Sequence, residues 1–367
     1  MTLVYGIPVF LLLFALLKKS AVHRSQTLSP FVSIIIAARN EATVIGRCLS
    51  MLSHQDYADN KFEIIIVDDN SMDNTAEQAK KSAGNLSVTV LKAQRASNYK
   101  SSKKAALELA ARSARGEILL FTDADCQPEK GWIRNMISFF DRETGLVAGF
   151  SPQTAPTLFW NEVLKIDAAA AALVAAGTVA LGRGVTCTGR NLALRKAALE
   201  DIGGYSSLPD SLSGDDDFVL QKVSAHPAWK VRYAVDRRAV VPADGPDSLR
   251  QFLRQKRRHI SAGRYFGRWA QMVFAVHHTA NLFIWLGLVA APFWGCVFLA
   301  PFALKLLLDY FAIRVFLGLY AMRPSAPALV SWQFIYLFYN VIIGPLSIFQ
   351  KIGWDGQITA KKNRAKE

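Results

Sequence analysis

Two aspartates, Asp123 and Asp125, sit one residue apart immediately after the apolar run Ile118–Phe121, and acids at that spacing can share a hard cation such as Mg2+ or Mn2+. A cation there would bridge diphosphate oxygens and neutralise the charge that grows as a nucleoside diphosphate leaves. A second acidic pair, Asp68 and Asp69, closes the run Phe62–Val67 and can accept hydrogen bonds from a base or a ribose; Ser71, Asp73 and Asn74 beside it equally suit the cap of a helix starting at Thr75. In the third cluster, Asp215, Asp216 and Asp217 crowd like charges before an apolar helix, a costly arrangement unless a helix terminus or a reaction uses it. As chemistry, one of these carboxylates is a general base that takes the proton of an attacking hydroxyl. As architecture, it is an N-cap. Cations complete the set: Lys103 and Lys104 open a helical pattern, and Arg254-Gln255-Lys256-Arg257-Arg258-His259 precedes a long apolar run. Those groups can clasp a diphosphate or meet lipid headgroups.

The elements that must hold these residues alternate between 30 and 150. Strand-like runs at Val32–Ala37, Phe62–Val67, Ser87–Lys92, Glu117–Phe121 and Gly145–Phe150 are interleaved with helical patterns at Ala42–Leu52, Thr75–Ser82, Lys103–Ala114 and Gly131–Phe140. Continuous apolar strands such as Ile64-Ile65-Ile66-Val67 suit a parallel sheet covered on both faces, and ligands of such sheets bind at the carboxyl ends of the strands. Three successive strand ends carry polar residues, the first being Ala38-Arg39-Asn40-Glu41, and capping alone does not explain that repetition. Neither GxGxxG nor GxxxxGK[ST] occurs, which removes support for a dinucleotide oxidoreductase or a P-loop enzyme. Ala168–Ala180 reads as a buried or interfacial helix.

The apolar stretches point to a membrane. Leu3–Leu17 is uncharged and is followed by Lys18, Lys19 and Arg24, the reverse of a secretory signal. Trp269–Leu304 and Pro324–Gln350 contain no Asp, Glu, Lys or Arg, and Lys351 and a basic tail follow. The domains expected are an anchor at 1–20, a catalytic domain at 30–265, a transmembrane region at 269–350 and a basic tail at 351–367. The positive-inside rule then gives a multi-pass protein of the cell membrane whose catalytic domain faces the cytoplasm. A net charge of +14 favours anionic partners. Because the basic residues flank apolar runs, those partners are phosphates and headgroups and not nucleic acid. Four scattered cysteines, Cys48, Cys126, Cys187 and Cys296, form no zinc motif or disulfide framework.

Taken in order, these pieces resemble the family-2 glycosyltransferases over Val32–His259. Val32–Glu41 is similar to the family's opening strand and ARNE turn, Val67-Asp68-Asp69-Asn70-Ser71 to its VDDxS, and Asp123-Ala124-Asp125 to its DxD. Thr188-Gly189-Arg190-Asn191 is similar to its acceptor-side loop, Gly214-Asp215-Asp216 to its GED or TED with Asp215 in place of Glu, and Gln255-to-His259 to its QxxRW with His259 in place of Trp. The resemblance implies an α/β GT-A fold, Rossmann-like with a mostly parallel sheet, carrying N- and C-terminal transmembrane helices. It implies inverting transfer from a nucleotide-sugar donor, with Asp216 as base and Asp215 beside it. Arg39, Glu41, Asp68, Asp69, Lys103, Asp123, Gln255, Arg257 and Arg258 would bind the donor, Arg190, Asn191 and His259 would line the acceptor side, and Asp123 and Asp125 would hold Mg2+ or Mn2+. In the family's processive synthases the tryptophan stacks near the accepting sugar. Its replacement favours transfer of a single sugar to a lipid-like hydroxyl: polyprenyl, glycerolipid or hydroxylated carotenoid. The competing readings are a processive polysaccharide synthase and, from another class, a catalytically inactive membrane scaffold.

Overall fold

The computed structural model describes residues 2–19, 29–93, 101–211 and 213–349. Arg24 and the basic tail from Lys351 lie outside them. Nine strands form, β1 (Val32–Ala38), β2 (Phe62–Asp68), β3 (Val88–Lys92), β4 (Ile118–Thr122), β5 (Thr144–Gly149), β6 (Gln153–Thr154), β7 (Leu192–Arg195), β8 (Lys230–Ala234) and β9 (Ala243–Asp244). Seven make one sheet in the order β3-β2-β1-β4-β7-β5-β8, and β6 pairs with β9 separately. Only β7 runs antiparallel to its neighbours in the large sheet. The sheet is therefore mixed, and parallel across β3-β2-β1-β4, three of which carry Asp68, Arg39 and Asp123 at their ends.

The helices are α1 (Thr2–Lys19), α2 (Ile45–Leu52), α3 (Thr75–Lys81), α4 (Ser102–Ser113), α5 (Trp132–Ile137), α6 (Leu158–Ala180), α7 (Lys196–Asp201) and α8 (Asp215–Ala225), followed by α9 (Leu249–Ser261), α10 (Arg268–Trp294), α11 (Ala300–Gly318), α12 (Ala326–Phe338) and α13 (Gly344–Phe349), with a π turn at Tyr339–Ile343 between the last two. Alternation along the strands sorts the core into two layers. Ile34, Ile36, Ile64, Ile66, Ile118 and Leu120 face α2, α3 and α5. Their neighbours Ile35, Ile65, Val67, Leu119 and Phe121 face α4, α6 and α8.

Two expectations shift. Helix α2 begins at Ile45 and not at Ala42, after a turn in which the Val44 and Ile45 amides donate to the Glu41 carbonyl (3.1 and 3.0 Å), while the Glu41 and Ala42 amides donate to Thr75 Oγ1 (2.8 Å) and Asp73 Oδ2 (3.2 Å) at the start of α3. The Ala168–Ala180 helix starts ten residues earlier and is, among the described residues, one of four segments long and apolar enough to cross a membrane, with Arg268–Trp294, Cys296–Gly318 and Ala326–Ser347. Both ends of α6 nevertheless join the sheet domain. It leaves β6, and the Thr178 hydroxyl near its end accepts from the Val185 amide on the way to β7. It is an internal helix, sandwiched between the sheet and α1, α11 and α12. The uncharged run after Trp269 resolves as a hairpin, α10 into α11, turning at Gly295 with φ +107°.

Candidate active site

The carboxyl ends of β1 and β2 are tied into one unit. Asn40 and Asn70, which follow them, both adopt left-handed backbone (φ 57° and 56°), a conformation asparagine tolerates better than most residues. Asn40 Oδ1 accepts from the Met72 amide at 2.8 Å, and Ser71 Oγ accepts from the Asn40 amide at 3.0 Å. Asp68 turns inward to accept from the Ser71 amide at 3.0 Å, bracing the turn. Asp69 accepts from the Ser102 hydroxyl of α4 and lies 4.0 Å from Arg39 Nη1. The N-cap position of α3 is Asn74, whose side chain makes no capping bond, and the capping is done by Asp73, whose Oδ1 accepts from the Thr75 amide at 3.1 Å.

Across the floor, Lys103 on the first turn of α4 pairs with Asp123 Oδ1 at 3.0 Å. Burial pushes the Asp123 carboxyl up, but the cations of Lys103, Arg190 and Arg258 more than offset it and hold it below its ordinary value. Asp125 differs. Burial and the neighbouring Asp123 charge raise it, and among the described residues it forms no ion pair. Glu41 is pushed up to about 7 by burial and then by Asp125 and Asp123. A carboxylate without an ion pair beside a second carboxylate offers oxygen ligands to a divalent cation, so the residues present suit Mg2+ or Mn2+.

The three consecutive acids separate by role. The N-cap of α8 is Gly214 in left-handed backbone (φ 88°), so all three aspartates occupy the first helical turn, favourable for negative charge. Asp215 is buried 3.4 Å from Lys104 Nζ, itself buried and bonded to the Pro209 carbonyl. Asp217 accepts from the Thr186 hydroxyl (2.8 Å) and the Cys187 amide (3.0 Å), fixing the 186–189 loop. Asp216 takes one bond from outside its helix, from the Gly189 amide to Oδ2 at 2.6 Å, and burial raises its carboxyl against the pull of Lys103.

Asn191 requires a correction. Its amide is fully buried, with Nδ2 donating to the carbonyls of Phe150 and Ala239 (both 2.8 Å) and Oδ1 accepting from Trp132 Nε1 at 2.9 Å. It braces β5 against α5 and cannot reach an acceptor. Arg190, next to it, carries a buried Nε without a hydrogen-bond partner and projects its charge onto Asp123 and Asp125. Its charge therefore belongs with the Asp123–Asp125 pair.

Helix α9 closes the cleft. Gln255 Oε1 accepts from Gln153 Nε2 at 3.4 Å, Arg258 acts on Asp123, and Arg257 lies half-buried between them in sequence. The His259 ring is exposed at its surface, and desolvation together with the charges of Arg258, Lys256, Arg190 and Lys103 pushes its pKa below the usual histidine value. Lys256 is not a phosphate ligand: it is bound to Asp167 of α6. Sequence reasoning missed Asp167 and also Asp244, which pairs with Arg47 and whose amide donates to the Asp125 carbonyl at 3.3 Å. No local signal marks either, since each finds its partners through the fold.

Residues 33–203 match glycosyl transferase family 2, and residues 132–342 match glycosyl transferase family group 2. Over 93% of its length the chain superposes on 99% of the mannosyltransferase PcManGT from Pyrobaculum calidifontis, solved with GDP-Man and Mn2+, with a TM-score of 0.56 at 20% identity. The architecture is thus the GT-A fold. The chain belongs to glycosyl transferase family group 2. It is 35% identical over 112 residues to glycosyltransferase AglE of Haloferax volcanii, covering 30% of this chain and 35% of that one. It is 29% identical over 198 residues to the beta-monoglucosyldiacylglycerol synthase of a Nostoc species, covering 52% of this chain and 41% of that one. The chain therefore spans less than half the length of these curated relatives.

Proposed function

We propose that this protein transfers one sugar from a nucleotide-sugar donor to a hydroxyl of a membrane-borne, lipid-like acceptor, with inversion. The observation that carries the reading is Asp216: of three adjacent acids it alone is neither locked to a buried lysine nor consumed by two loop donors, and it lies within the field of the Lys103–Asp123 pair. Asp216 takes the proton of the acceptor hydroxyl as its oxygen bonds to the anomeric carbon, and the bond from that carbon to the diphosphate breaks on the opposite face. Asp69, Arg39 and Glu41 at the β1 and β2 ends receive the nucleoside, while Lys103, Arg190, Arg257, Arg258 and Gln255 receive the diphosphate and its sugar. Asp123 and Asp125 would hold Mg2+ or Mn2+, which supplies charge neutralisation at the diphosphate. His259 lines the acceptor side.

The apolar helices beside α9 support a lipid-like acceptor. The Nostoc relative's name favours a glycerolipid over a polyprenyl or a hydroxylated carotenoid. Incubating the protein, in vesicles containing diacylglycerol, with labelled nucleotide sugars tests this. Label should enter the lipid extract. Label released only as free sugar, or found only in a polymer, would overturn the reading.

A further inference from the structure

We propose that the helical segment Ala326–Ser347 lies flat within the leaflet nearest the catalytic domain and does not cross the bilayer, its outer stripe set among acyl chains. By length and composition this segment can span; its surroundings say otherwise. At its start it follows α11, whose last turn is docked on the sheet domain: Phe316 meets Phe150 edge-on at 5.4 Å, and the Tyr320 hydroxyl donates to the Ala234 carbonyl of β8 at 3.2 Å. In its middle, Trp332 Nε1 and the Tyr339 hydroxyl both donate to Asp167, at 3.1 and 2.9 Å, on α6, the helix whose two ends join the sheet. Towards its end Tyr339 packs edge-on against Phe252 of α9 at 5.7 Å, and Gly344 lies against Ile260 of the same helix. The segment thus starts and finishes against the domain that carries the site. A crossing helix of 22 residues would end about 33 Å from where it began, on the far side.

The face turned away from the domain is apolar. Val330, Phe334, Phe338 and Leu346 are exposed, and no charged side chain occurs between Ala326 and Ser347. Val330, Phe334 and Phe338 recur every four residues, and the π turn at Tyr339–Ile343 lies between them and Leu346. Hydrocarbon is the occupant because the stripe does not stand alone. Helix α1, packed along α6 and α11, exposes Val4, Ile7, Phe10, Phe14 and Leu17, and the α10–α11 hairpin exposes Phe293, Trp294 and Val297. Cations over aromatic rings mark a headgroup fringe beside them, with Arg183 over Trp269 at 5.4 Å and Arg264 over Tyr265 at 4.6 Å.

The test uses the full chain in lipid nanodiscs, with Cys296→Ser to remove the exposed native thiol. A nitroxide is attached at Val330→Cys, Phe334→Cys, Phe338→Cys or Leu346→Cys in turn, and its depth is read from the ratio of collisions with oxygen and with a water-soluble nickel chelate. All four positions are exposed; Phe334 also meets the Phe302 ring of α11 at 5.5 Å, so its label is read against the other three. A flat helix gives four depths within about 5 Å of one another, in the zone interfacial helices occupy. A crossing helix gives a displacement of about 1.5 Å per residue, so about 24 Å between the outermost labels, passing the bilayer centre. That gradient overturns the proposal. So does low access to both reagents with spin–spin broadening, the signature of a second copy covering the stripe. No turnover is measured, so the result stands apart from the catalytic reading.

Discussion

Asp216→Asn keeps the size of the side chain and its bond from Gly189 while removing basicity, so turnover should fall roughly 10²–10⁴-fold with donor affinity retained. Near-normal turnover would remove the base assignment. Asp217→Asn should instead lower thermal stability, since its oxygens hold the Thr186 hydroxyl and Cys187 amide, and a melt separates the two outcomes. Asp125→Asn should abolish both turnover and its dependence on added Mg2+ or Mn2+; full wild-type activity in excess chelator would defeat that role. The buried Asp215–Lys104 pair makes a pH prediction. Burial raises Asp215 to about 6 in the folded chain against an ordinary 3.8, so its ionisation opposes folding, a cost absent below about pH 4 and complete above pH 6. Lys104→Met removes the cation that restrains this shift, so the variant should lose about 3 kcal/mol at pH 8. The deficit should shrink as the pH falls from 8 towards 6 and all but vanish below it, and a deficit constant from pH 5 to pH 8 would exclude Asp215 as its source. The sequence identified the acidic trio but not the division of labour within it. Lys104, Thr186 and Cys187 reach these acids only through tertiary contacts. Asn191 was misread for the same reason, because its partners Trp132, Phe150 and Ala239 are remote in sequence.

At the scale of elements, strand positions were legible because β-branched runs such as Ile64-Ile65-Ile66-Val67 are buried on both faces, and the polar residues that close them mark the ends. Helix α6 was only half legible. Its alanine-rich half reads as apolar, but nothing local shows that Asp167 within it binds Lys256, Trp332 and Tyr339 together. That carboxylate bolts α9, which carries Gln255, Arg258 and His259, to α12. Asp167→Asn should therefore raise the donor KM several-fold and reduce stability by about 3 kcal/mol, since it leaves Lys256 half-buried without its counter-charge. A purely structural role would lower the melting temperature and leave KM unchanged. The contact of α1 with α6 is equally specific, because a Cβ on Gly177 would come within 2.6 Å of the Leu12 side chain, so only glycine permits that approach.

For the whole molecule, the question is how many sugars are added before the product leaves. A processive enzyme needs a place for the growing chain, normally an aromatic platform at the acceptor end and a passage through the membrane. Where the family resemblance would put that platform stands His259, whose imidazole lies in the field of Arg258, Lys256, Arg190 and Lys103. The apolar helices leave little for a passage. Helix α6 is internal to the domain and is braced to α12 through Asp167, and the α10–α11 hairpin starts at the domain, where the Gly267 amide donates to Gln221, and returns to it at Tyr320. Lys305, Asp309 and Gln333, the most polar groups between these helices, are fully engaged with one another and with Tyr5. They fill the interior and do not line a channel. A reconstituted reaction with excess nucleotide sugar should accordingly yield lipid bearing a single sugar, with product mass unchanged as the donor-to-acceptor ratio rises tenfold. His259→Trp adds the stacking surface without a channel, so it should slow acceptor turnover and not lengthen the product. Mass spectrometry of the lipid extract decides the matter: a ladder of products from the unaltered protein would show that a platform other than position 259 holds the sugar chain.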